Sequence, residues 1–248
     1  SGKARNHPKK DLKQLLQLQK QDMIFELSNT TEFPDPRYGQ KDGFYAVGGD
    51  LSPERLIKAY PMGIFPYFAF RQRPLIWWAP QERYVIFPDE IHVSHSMRNL
   101  MNKNLYTCTI NEDFEGVIHG CAMAQGRIEE ECAWLGPELI EVWCKLNEMG
   151  YAKSVEVWDQ DDYLVGGLYG FVCGGCFLGD SMFSLESGAS KLALIHLARH
   201  MQAQGGSFID CQLKTNHLKS MGARYISYEE FLKETQKDSN IIWDSNNQ

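Results

Sequence analysis

Asp210 and Gln212 are the residues whose types and spacing most directly indicate chemistry. They lie two positions apart in a run, 207–213, that is typical of a β-strand, so their side chains would share one face of that strand. A carboxylate beside a carboxamide can hold and orient a polar group through hydrogen bonds, although a carboxamide is not a useful base. The alternative is that both side chains only satisfy the backbone at the end of the strand. The spacing alone leaves both interpretations open.

Cys173 and Cys176, separated by two glycines, form a second pattern with chemical potential. Such spacing is compatible with a redox motif or with half of a zinc site. No second Cys or His pair follows at zinc-site spacing, and no βαβ pattern surrounds the two cysteines. The glycines are typical of a tight turn between two strands. We therefore predict a β-hairpin here, and we expect the protein to use no metal and no cofactor.

The composition is that of an ordinary globular protein. Of 248 residues, 43% are hydrophobic and 23% are charged, with a formal net charge of -7. An acidic chain argues against wide, nonspecific binding to nucleic acid, but it permits a local basic patch. The first 20 residues lack an apolar core, and the uncharged run 163–179 is short and glycine-rich, so we expect neither a secretory signal nor a membrane span. Seven cysteines in such a chain predict reduced thiols and a cytoplasmic location.

The elements that must position these residues fall into two regions that meet near residue 79. Residues 1–22 are interpreted as a tail. Residues 23–79 are rich in aromatic turns and contain one clear helix, which begins at the cap Ser52 and Pro53. We predict that 23–79 form a small N-terminal domain and that 80–248 form the catalytic domain.

Residues 80–248 alternate between strand and helix patterns. Two amphipathic helices are predicted, at 137–149 and 189–204, and each is followed by glycine. A short helix is predicted at 216–221, and strands are predicted at 84–87, 105–110, 154–158, 163–172, 176–178 and 207–213. This order predicts an α+β fold in which helices flank a mostly antiparallel sheet.

Eight blocks of sequence, in order along residues 24–235, resemble those of the leucyl/phenylalanyl-tRNA–protein transferases. Each block alone is weak, but the ordered set is specific. The blocks are GGDLSP (48–53), Tyr60 with GIFP (63–66), WWAP (77–80) with Arg83, SVEVW (154–158), VGGLYG (165–170), SMFS (181–184), ASK (189–191) and IDCQ (209–212).

The resemblance implies a fold and an activity. The fold is a small N-terminal domain followed by a C-terminal acetyltransferase-like (GNAT-like) domain. The activity is cytoplasmic transfer of Leu or Phe from aminoacyl-tRNA to the N-terminal Arg or Lys of acceptor proteins, which marks them for degradation under the N-end rule. The aminoacyl ester is already activated and the attacking α-amine has an ordinary pKa near 8, so orientation is the main requirement and neither ATP nor a metal is needed. We expect a monomer.

The resemblance also implies roles for particular residues. Asp210 and Gln212 occupy the positions of the family's proposed catalytic pair, and we interpret Gln212 as an orienter that Asp210 polarises. Asp180 stands where the family has glutamate, so it retains a carboxylate that can hold an ammonium group but reaches one methylene less far. The alternative for Asp180 is a turn residue that caps the following backbone.

Two further groups of residues follow from the resemblance. The donor side chain would enter an apolar pocket, although core packing is the alternative for its two helix residues. The family has tryptophan where this chain has Tyr67. The expected pocket walls are Leu168, Phe177, Leu194, Leu197 and Ile209. The residues expected at the tRNA 3′ end are Tyr60, Tyr67 and Trp134, and those expected at the tRNA backbone are Lys191, Arg83, Arg98 and Lys103.

Three alternatives to Leu or Phe transfer stay open. An acyl-CoA N-acetyltransferase could have the same fold, but residues 184–189 hold one glycine and an acidic residue, which is poor for binding a diphosphate. The same chemistry could serve another donor or acceptor, such as arginyl transfer to acidic N-termini. A peptide-binding adaptor without activity is the third alternative, and retention of Asp210 and Gln212 argues against it.

Overall fold

Two β-sheets organise the chain in a computed structural model that describes residues 23–68, 71, 73–124 and 134–245. The predicted tail, residues 1–22, lies outside the described residues. Within the described residues, the mixed α+β architecture predicted from the sequence is confirmed. None of the helices in these ranges is both long and apolar enough to cross a membrane, and no three His, Cys, Asp or Glu side chains in them group closely enough to hold a metal.

The smaller sheet has four short strands in the order β1-β2-β4-β3. Strands β1 and β2 are parallel, and the other neighbours are antiparallel. The sequence predicted turns here rather than strands, because segments of two to five residues are too short for a readable alternation. The strands are β1 (Phe25–Leu27), β2 (Phe44–Gly48), β3 (Phe65–Pro66) and β4 (Ile76–Trp78).

Helix α1 (Pro53–Ala59), which the sequence predicted, connects β2 to β3. The Ser52 side chain accepts a hydrogen bond from the Arg55 backbone N–H at 3.2 Å, which caps the helix. A 3₁₀ turn at Tyr60–Met62 and Gly63, whose φ is 74°, then end the helical segment. We call residues 60–63 the 60–63 turn. Its contacts with the larger sheet are described below.

The larger sheet has seven strands in the order β11-β5-β10-β9-β8-β7-β6. All neighbours are antiparallel except β9 and β10, which run parallel with Ile209 opposite Phe177 and Asp210 opposite Leu178. Strands β8 and β9 form the predicted hairpin at Cys173 and Cys176. The strands are β5 (Glu82–Ile86), β6 (Thr107–Ile110), β7 (Ala152–Trp158), β8 (Leu164–Cys173), β9 (Cys176–Ser184), β10 (Ile209–Asp210) and β11 (Arg224–Ser227).

Helices cover both faces of the larger sheet. Apolar residues of α3 and α4 share a buried cluster with one face, and those of α5 share a second cluster with the opposite face. Helices α4, α5 and α6 match predictions, whereas α2, α3 and α7 were not predicted. The six helices are α2 (His95–Asn102), α3 (Phe114–Ala124), α4 (Pro137–Glu148), α5 (Ala189–Ala203), α6 (Asn216–Ser220) and α7 (Tyr228–Thr235).

Hydrogen bonds from the larger sheet and from α7 hold the backbone of the 60–63 turn. Thr235 Oγ1 donates to the Pro61 carbonyl at 2.8 Å, and Tyr228 Oη donates to the Met62 carbonyl at 2.7 Å. Arg83 Nη1 of β5 donates to the Gly63 carbonyl, also at 2.7 Å. Three consecutive carbonyl groups are therefore fixed, which holds the 60–63 turn against α7 and β5.

Candidate active site

Asp180 lies at an irregularity in the pairing of β8 with β9. Gly170 is opposite Gly179 and Tyr169 is opposite Ser181, so Asp180 is an extra residue without a partner across the pair. A β-bulge of this kind turns a side chain out of the regular alternation and is common near active sites. Asp180 is therefore a strand residue whose side-chain direction is set by the bulge. It is not the capping turn residue of the alternative interpretation.

Three side chains donate hydrogen bonds to the half-buried Asp180 carboxylate. Tyr60 Oη donates to Oδ1 at 2.7 Å, Tyr169 Oη donates to Oδ2 at 2.5 Å, and Gln212 Nε2 lies 3.4 Å from Oδ1. Burial raises the pKa of Asp180, and the three hydrogen bonds oppose that rise. Burial and the neighbouring Asp180 raise the pKa of both tyrosines well above its ordinary value, so both hydroxyls remain protonated donors.

The rings of both tyrosines are fixed inside the core. The Tyr60 ring stacks on Phe171 with centroids 5.4 Å apart and meets the edge of Trp143 at 5.2 Å. The Tyr169 ring meets Trp143 at 5.1 Å and Phe114 at 5.7 Å. Only 3% of Tyr60 is exposed. The prediction that its ring frames a surface site for the tRNA 3′ end does not fit this burial. Its hydroxyl is the part that reaches the site.

Gln212 lies in a turn rather than on a strand. Strand β10 ends at Asp210, and Gln212 has a φ of 59°, in the left-handed region. Its backbone N–H donates to Asp210 Oδ1 at 3.1 Å, which closes a turn of the kind that aspartate favours. The prediction that Asp210 and Gln212 share one face of a strand is therefore wrong. The two side chains converge on one region through the turn instead.

Asp210 and Arg83 form a buried ion pair, with 1% and 2% of their side chains exposed. Arg83 Nη2 donates to Asp210 Oδ2, and its guanidinium lies 4.7 Å from the Phe231 ring centroid and 5.5 Å from that of Phe65. The prediction that Arg83 contacts the tRNA backbone does not fit this burial, because the guanidinium is already paired within the core. Both oxygens of Asp210 are engaged, so the alternative that it satisfies local groups is partly correct.

An apolar cavity of about 380 Å³ opens beside Asp180. Four of the five predicted wall residues line it, and Leu197 does not: it is completely buried in the core cluster around α5. Met182, Thr215, His217 and Leu218 also line the cavity and were missed, because a strand bulge and the position of α6 bring them there. The predicted residues that line it are Leu168, Phe177, Leu194 and Ile209.

A second cavity of about 240 Å³ adjoins the first and has an aromatic side. Tyr67 and Trp134 line it with ring centroids 6.1 Å apart, and 48% of Tyr67 is exposed. Gln212 also lines this cavity. Five residues line both cavities and so form a shared wall: Asp180, Ser181, Cys211, Thr215 and Leu218.

Two family models match the chain. The model described as leucyl/phenylalanyl-tRNA protein transferase matches residues 85–236, and the model of that family's N-terminal domain matches residues 49–81. The chain belongs to this family. It is 49% identical over 208 residues to the leucyl/phenylalanyl-tRNA–protein transferase of Syntrophus aciditrophicus (strain SB), covering 84% of this chain and 86% of that protein.

Other relatives give the same result. The protein of the same description from Flavobacterium psychrophilum is 46% identical over 211 residues, covering 85% of this chain and 99% of that protein. Among solved structures, the L-PGS from Bacillus licheniformis aligns over 71% of this chain and 55% of that chain, with 14% identity and a TM-score of 0.41. A likeness this weak supports no argument about the fold.

Three cationic residues that the family resemblance singled out, Lys191, Arg98 and Lys103, line neither cavity. Lys191 is half-buried in the first turn of α5, and its charge adds to the effect of burial in lowering the pKa of His217. Arg98 of α2 and Lys103 at its end are exposed, and neither lines the two cavities described above. Contacts of these three residues with a tRNA backbone remain predictions.

Proposed function

We propose that the protein transfers Leu or Phe from aminoacyl-tRNA to the N-terminus of an acceptor protein. The observation that carries this proposal is an apolar cavity that ends on the carboxylate of Asp180, beside the carboxamide of Gln212, in a chain of this family. An apolar slot next to an ammonium-binding carboxylate suits a free apolar amino acid attached through its own carboxyl group. Because the ester is already activated, this chemistry needs neither ATP nor a metal.

The donor would be seated by two contacts. Its apolar side chain enters the cavity lined by Leu168 and Leu194, and its α-ammonium group pairs with Asp180. These contacts fix the ester carbonyl near Gln212. The terminal adenosine of the tRNA then lies against Tyr67 and Trp134, whose rings can stack on a base.

The reaction needs one bond formed, one bond broken and one proton moved. The neutral α-amine of the acceptor attacks the ester carbonyl carbon, and the ester bond to the ribose oxygen breaks. The proton that the amine loses ends on that ribose oxygen. Gln212 would accept a hydrogen bond from the attacking amine through its carboxamide oxygen and so orient the lone pair. Positioning of the two reactants by the site as a whole can be worth roughly 7–11 kcal/mol.

The finer parts of the proposal concern the acceptor and the setting. We propose acceptors that begin with Arg or Lys, transfer as a mark for degradation, a cytoplasmic location and action as a monomer. We also propose a GNAT-like catalytic domain over 80–248 and a small domain over 23–79. The mostly antiparallel larger sheet supports the GNAT-like catalytic domain. The separate matches of the two family models support the division into two domains.

The proposal is tested by incubating the protein with a pool of charged tRNA and four peptides that differ only in an N-terminal Arg, Lys, Asp or Glu. Mass spectrometry then identifies which peptide gains mass and which amino acid was added. We expect addition of Leu or Phe to the Arg and Lys peptides. Addition of another amino acid would contradict the proposed donor, and modification of the Asp and Glu peptides alone would contradict the proposed acceptor. No addition to any peptide would contradict the activity.

Gln212→Ala should reduce transfer by about 10²–10³-fold, the loss typical when one oriented hydrogen-bonding group is removed from an active site. The fold should survive, because the hydrogen bond from the Gln212 side chain to Asp180 is long, at 3.4 Å. Turnover is measured with the Arg peptide, and circular dichroism checks folding. Gln204→Ala is a matched control, since Gln204 bonds Ile242 and His200 away from both cavities. Equal turnover in the two variants would remove Gln212 from the mechanism.

A further inference from the structure

Arg83 connects three segments that lie far apart in the sequence. One nitrogen of its guanidinium holds the Gly63 carbonyl in the 60–63 turn, and the other holds Asp210 at the end of β10. Asp210 in turn accepts the Gln212 backbone N–H at 3.1 Å. Arg83, which the sequence analysis placed at the tRNA backbone, is thus bonded to the aspartate that closes the turn at Gln212.

This turn needs support from its surroundings. A residue other than glycine at a φ of 59° is disfavoured unless local contacts hold it there. At Gln212 the contact is the bond from its own N–H to Asp210 Oδ1, and Asp210 is fixed through its other oxygen by Arg83. Loss of that restraint would free the Gln212 carboxamide, which lies 3.4 Å from Asp180 Oδ1.

We infer that Arg83 is a positioning residue for transfer: it holds Asp210, and through Asp210 it fixes the left-handed turn that presents Gln212. The inference rests on the proposed function, since it assigns Arg83 to the same reaction. A planar fork is needed because the two acceptors, Asp210 and the Gly63 carbonyl, belong to different segments. Lysine has a single ammonium group on a flexible stem and cannot reproduce the fork.

The packing around Arg83 supports this role. The rings of Phe231 and Phe65 lie 4.7 Å and 5.5 Å from the guanidinium carbon, which restricts its plane. A Cβ atom added at Gly63 would lie 3.2 Å from Arg83 Nη1, so the absence of a side chain there allows the close approach. The 60–63 turn is itself held by Tyr228 and Thr235 of α7.

Arg55 provides a matched control within the same chain. It is also completely buried, pairs with Asp50 at 3.1 Å, donates to the Ser28 carbonyl at 2.7 Å, and lies 5.6 Å from the Phe33 ring. This arrangement resembles that of Arg83 in type, although Asp50 is exposed where Asp210 is buried. Arg55 lies in α1 and lines neither cavity. A comparison of the two arginines therefore separates positioning of the site from general stabilisation.

The experiment compares Arg83→Lys with Arg55→Lys in the full chain, after the wild type has been shown to transfer Leu or Phe to the Arg peptide. In Arg83→Lys we expect kcat to fall roughly 100-fold, the loss expected when a reacting group moves by about 1 Å. The KM for charged tRNA should change by no more than about threefold, because Arg83 itself lines neither cavity. Arg55→Lys should lower the melting temperature and leave kcat within about twofold of the wild type.

Amide hydrogen exchange gives a second readout that does not depend on the variants being active. In the wild type the Gln212 amide should exchange more slowly than that of the exposed Lys214, and Arg83→Lys should abolish this protection while Arg55→Lys preserves it. Equal kcat in the two variants, or a Gln212 amide in the wild type as fast as that of Lys214, would overturn the inference. Wild type without any transfer would instead contradict the proposed function. If Arg83→Lys does not fold, Asp210→Asn takes its place in the exchange measurement, because it removes the charge that pairs with Arg83 and keeps an oxygen that can accept the Gln212 N–H. A Gln212 amide that stays protected in Asp210→Asn would then overturn the inference.

Discussion

At the scale of single residues, the ionisation of Asp180 depends on two opposing influences. Burial favours its neutral form, and hydrogen bonds from Tyr169, Tyr60 and Gln212 favour the carboxylate. Binding of an ammonium group needs the carboxylate. The two tyrosines therefore do more than fill the core: they favour the charged form of Asp180, which the proposed binding of an ammonium group requires.

Tyr169→Phe should shift the acid side of the pH profile to higher pH. The Tyr169 hydroxyl lowers the pKa of Asp180, so its removal lets that pKa rise further, and a higher pH is then needed to form the carboxylate. The measurement is kcat/KM for transfer to the Arg peptide as a function of pH. Tyr151→Phe is the control, because Tyr151 stacks on Phe171 in the same ring cluster without a hydrogen bond to Asp180. A profile that shifts equally in both variants, or in neither, would exclude this effect.

The sequence predicted the types of residue at the site better than their geometry. Asp180, Asp210 and Gln212 do come together, although Gln212 arrives through a left-handed turn and Asp180 through a bulge. Neither irregularity has a signature in residue types, since the bulge depends on the register of β9 with β8 and the turn depends on the bond from the Gln212 N–H to Asp210. The burial of Arg83 was missed for a similar reason: an arginine after a turn is ordinarily exposed, and its buried partner is 127 positions away.

At the scale of elements, repeating apolar positions decided which helices could be predicted. Helices α4 and α5 carry clear apolar faces and end at glycine, so both were predicted with nearly correct bounds. Helix α3 contains Gly116 and Gly120, which lower helix propensity. Gly120 is required by packing, because a Cβ atom there would lie 2.6 Å from the Phe183 ring. Tertiary packing of this kind is absent from local sequence patterns.

Thr215→Ala should weaken both stability and substrate binding. Thr215 lines both cavities, and its hydroxyl caps α6 by accepting a hydrogen bond from the Leu218 N–H at 3.1 Å. Loss of a cap of this kind costs about 0.5–2 kcal/mol of stability. Because α6 carries His217 and Leu218 to the apolar cavity that we propose as the donor cavity, we expect the KM for charged tRNA to rise as well.

Ser94→Ala is the matched control for the cap of α6. Ser94 caps α2 by accepting a hydrogen bond from the Met97 N–H at 3.2 Å, and it lines neither cavity. Urea denaturation should show a similar loss of stability in both variants, and steady-state kinetics should show a raised KM in Thr215→Ala alone. An unchanged KM in Thr215→Ala would show that α6 does not shape the donor cavity.

At the scale of the whole molecule, the two sheets share one apolar core. A single buried cluster includes Trp77 of the smaller sheet, Trp143 of α4 and Phe231 of α7. The 60–63 turn is bonded to α7 and to β5 across the same boundary. The small domain predicted over 23–79 is therefore closely packed against the larger sheet, and the sequence division near residue 79 does not interrupt the core.

We expect the chain to unfold in urea in one transition. Because Trp77 and Trp143 are completely buried in the same cluster, tryptophan fluorescence should change together with the loss of helix in far-UV circular dichroism. Thr235→Val, which removes one bond to the 60–63 turn, should move the midpoint of both signals by the same amount. Two separate transitions would mean that the smaller sheet is an independent unit.

The wall shared by the two cavities has a consequence for inhibitor design. Asp180, Ser181, Cys211, Thr215 and Leu218 face both volumes, so one compound could occupy the two at once. Such a compound would join a leucine-like or phenylalanine-like group, with its free ammonium, to an aromatic heterocycle through an amide that does not hydrolyse. Once one end is bound, the other end is held at a high effective concentration beside its own cavity, so the affinity of the compound should exceed that of either fragment alone.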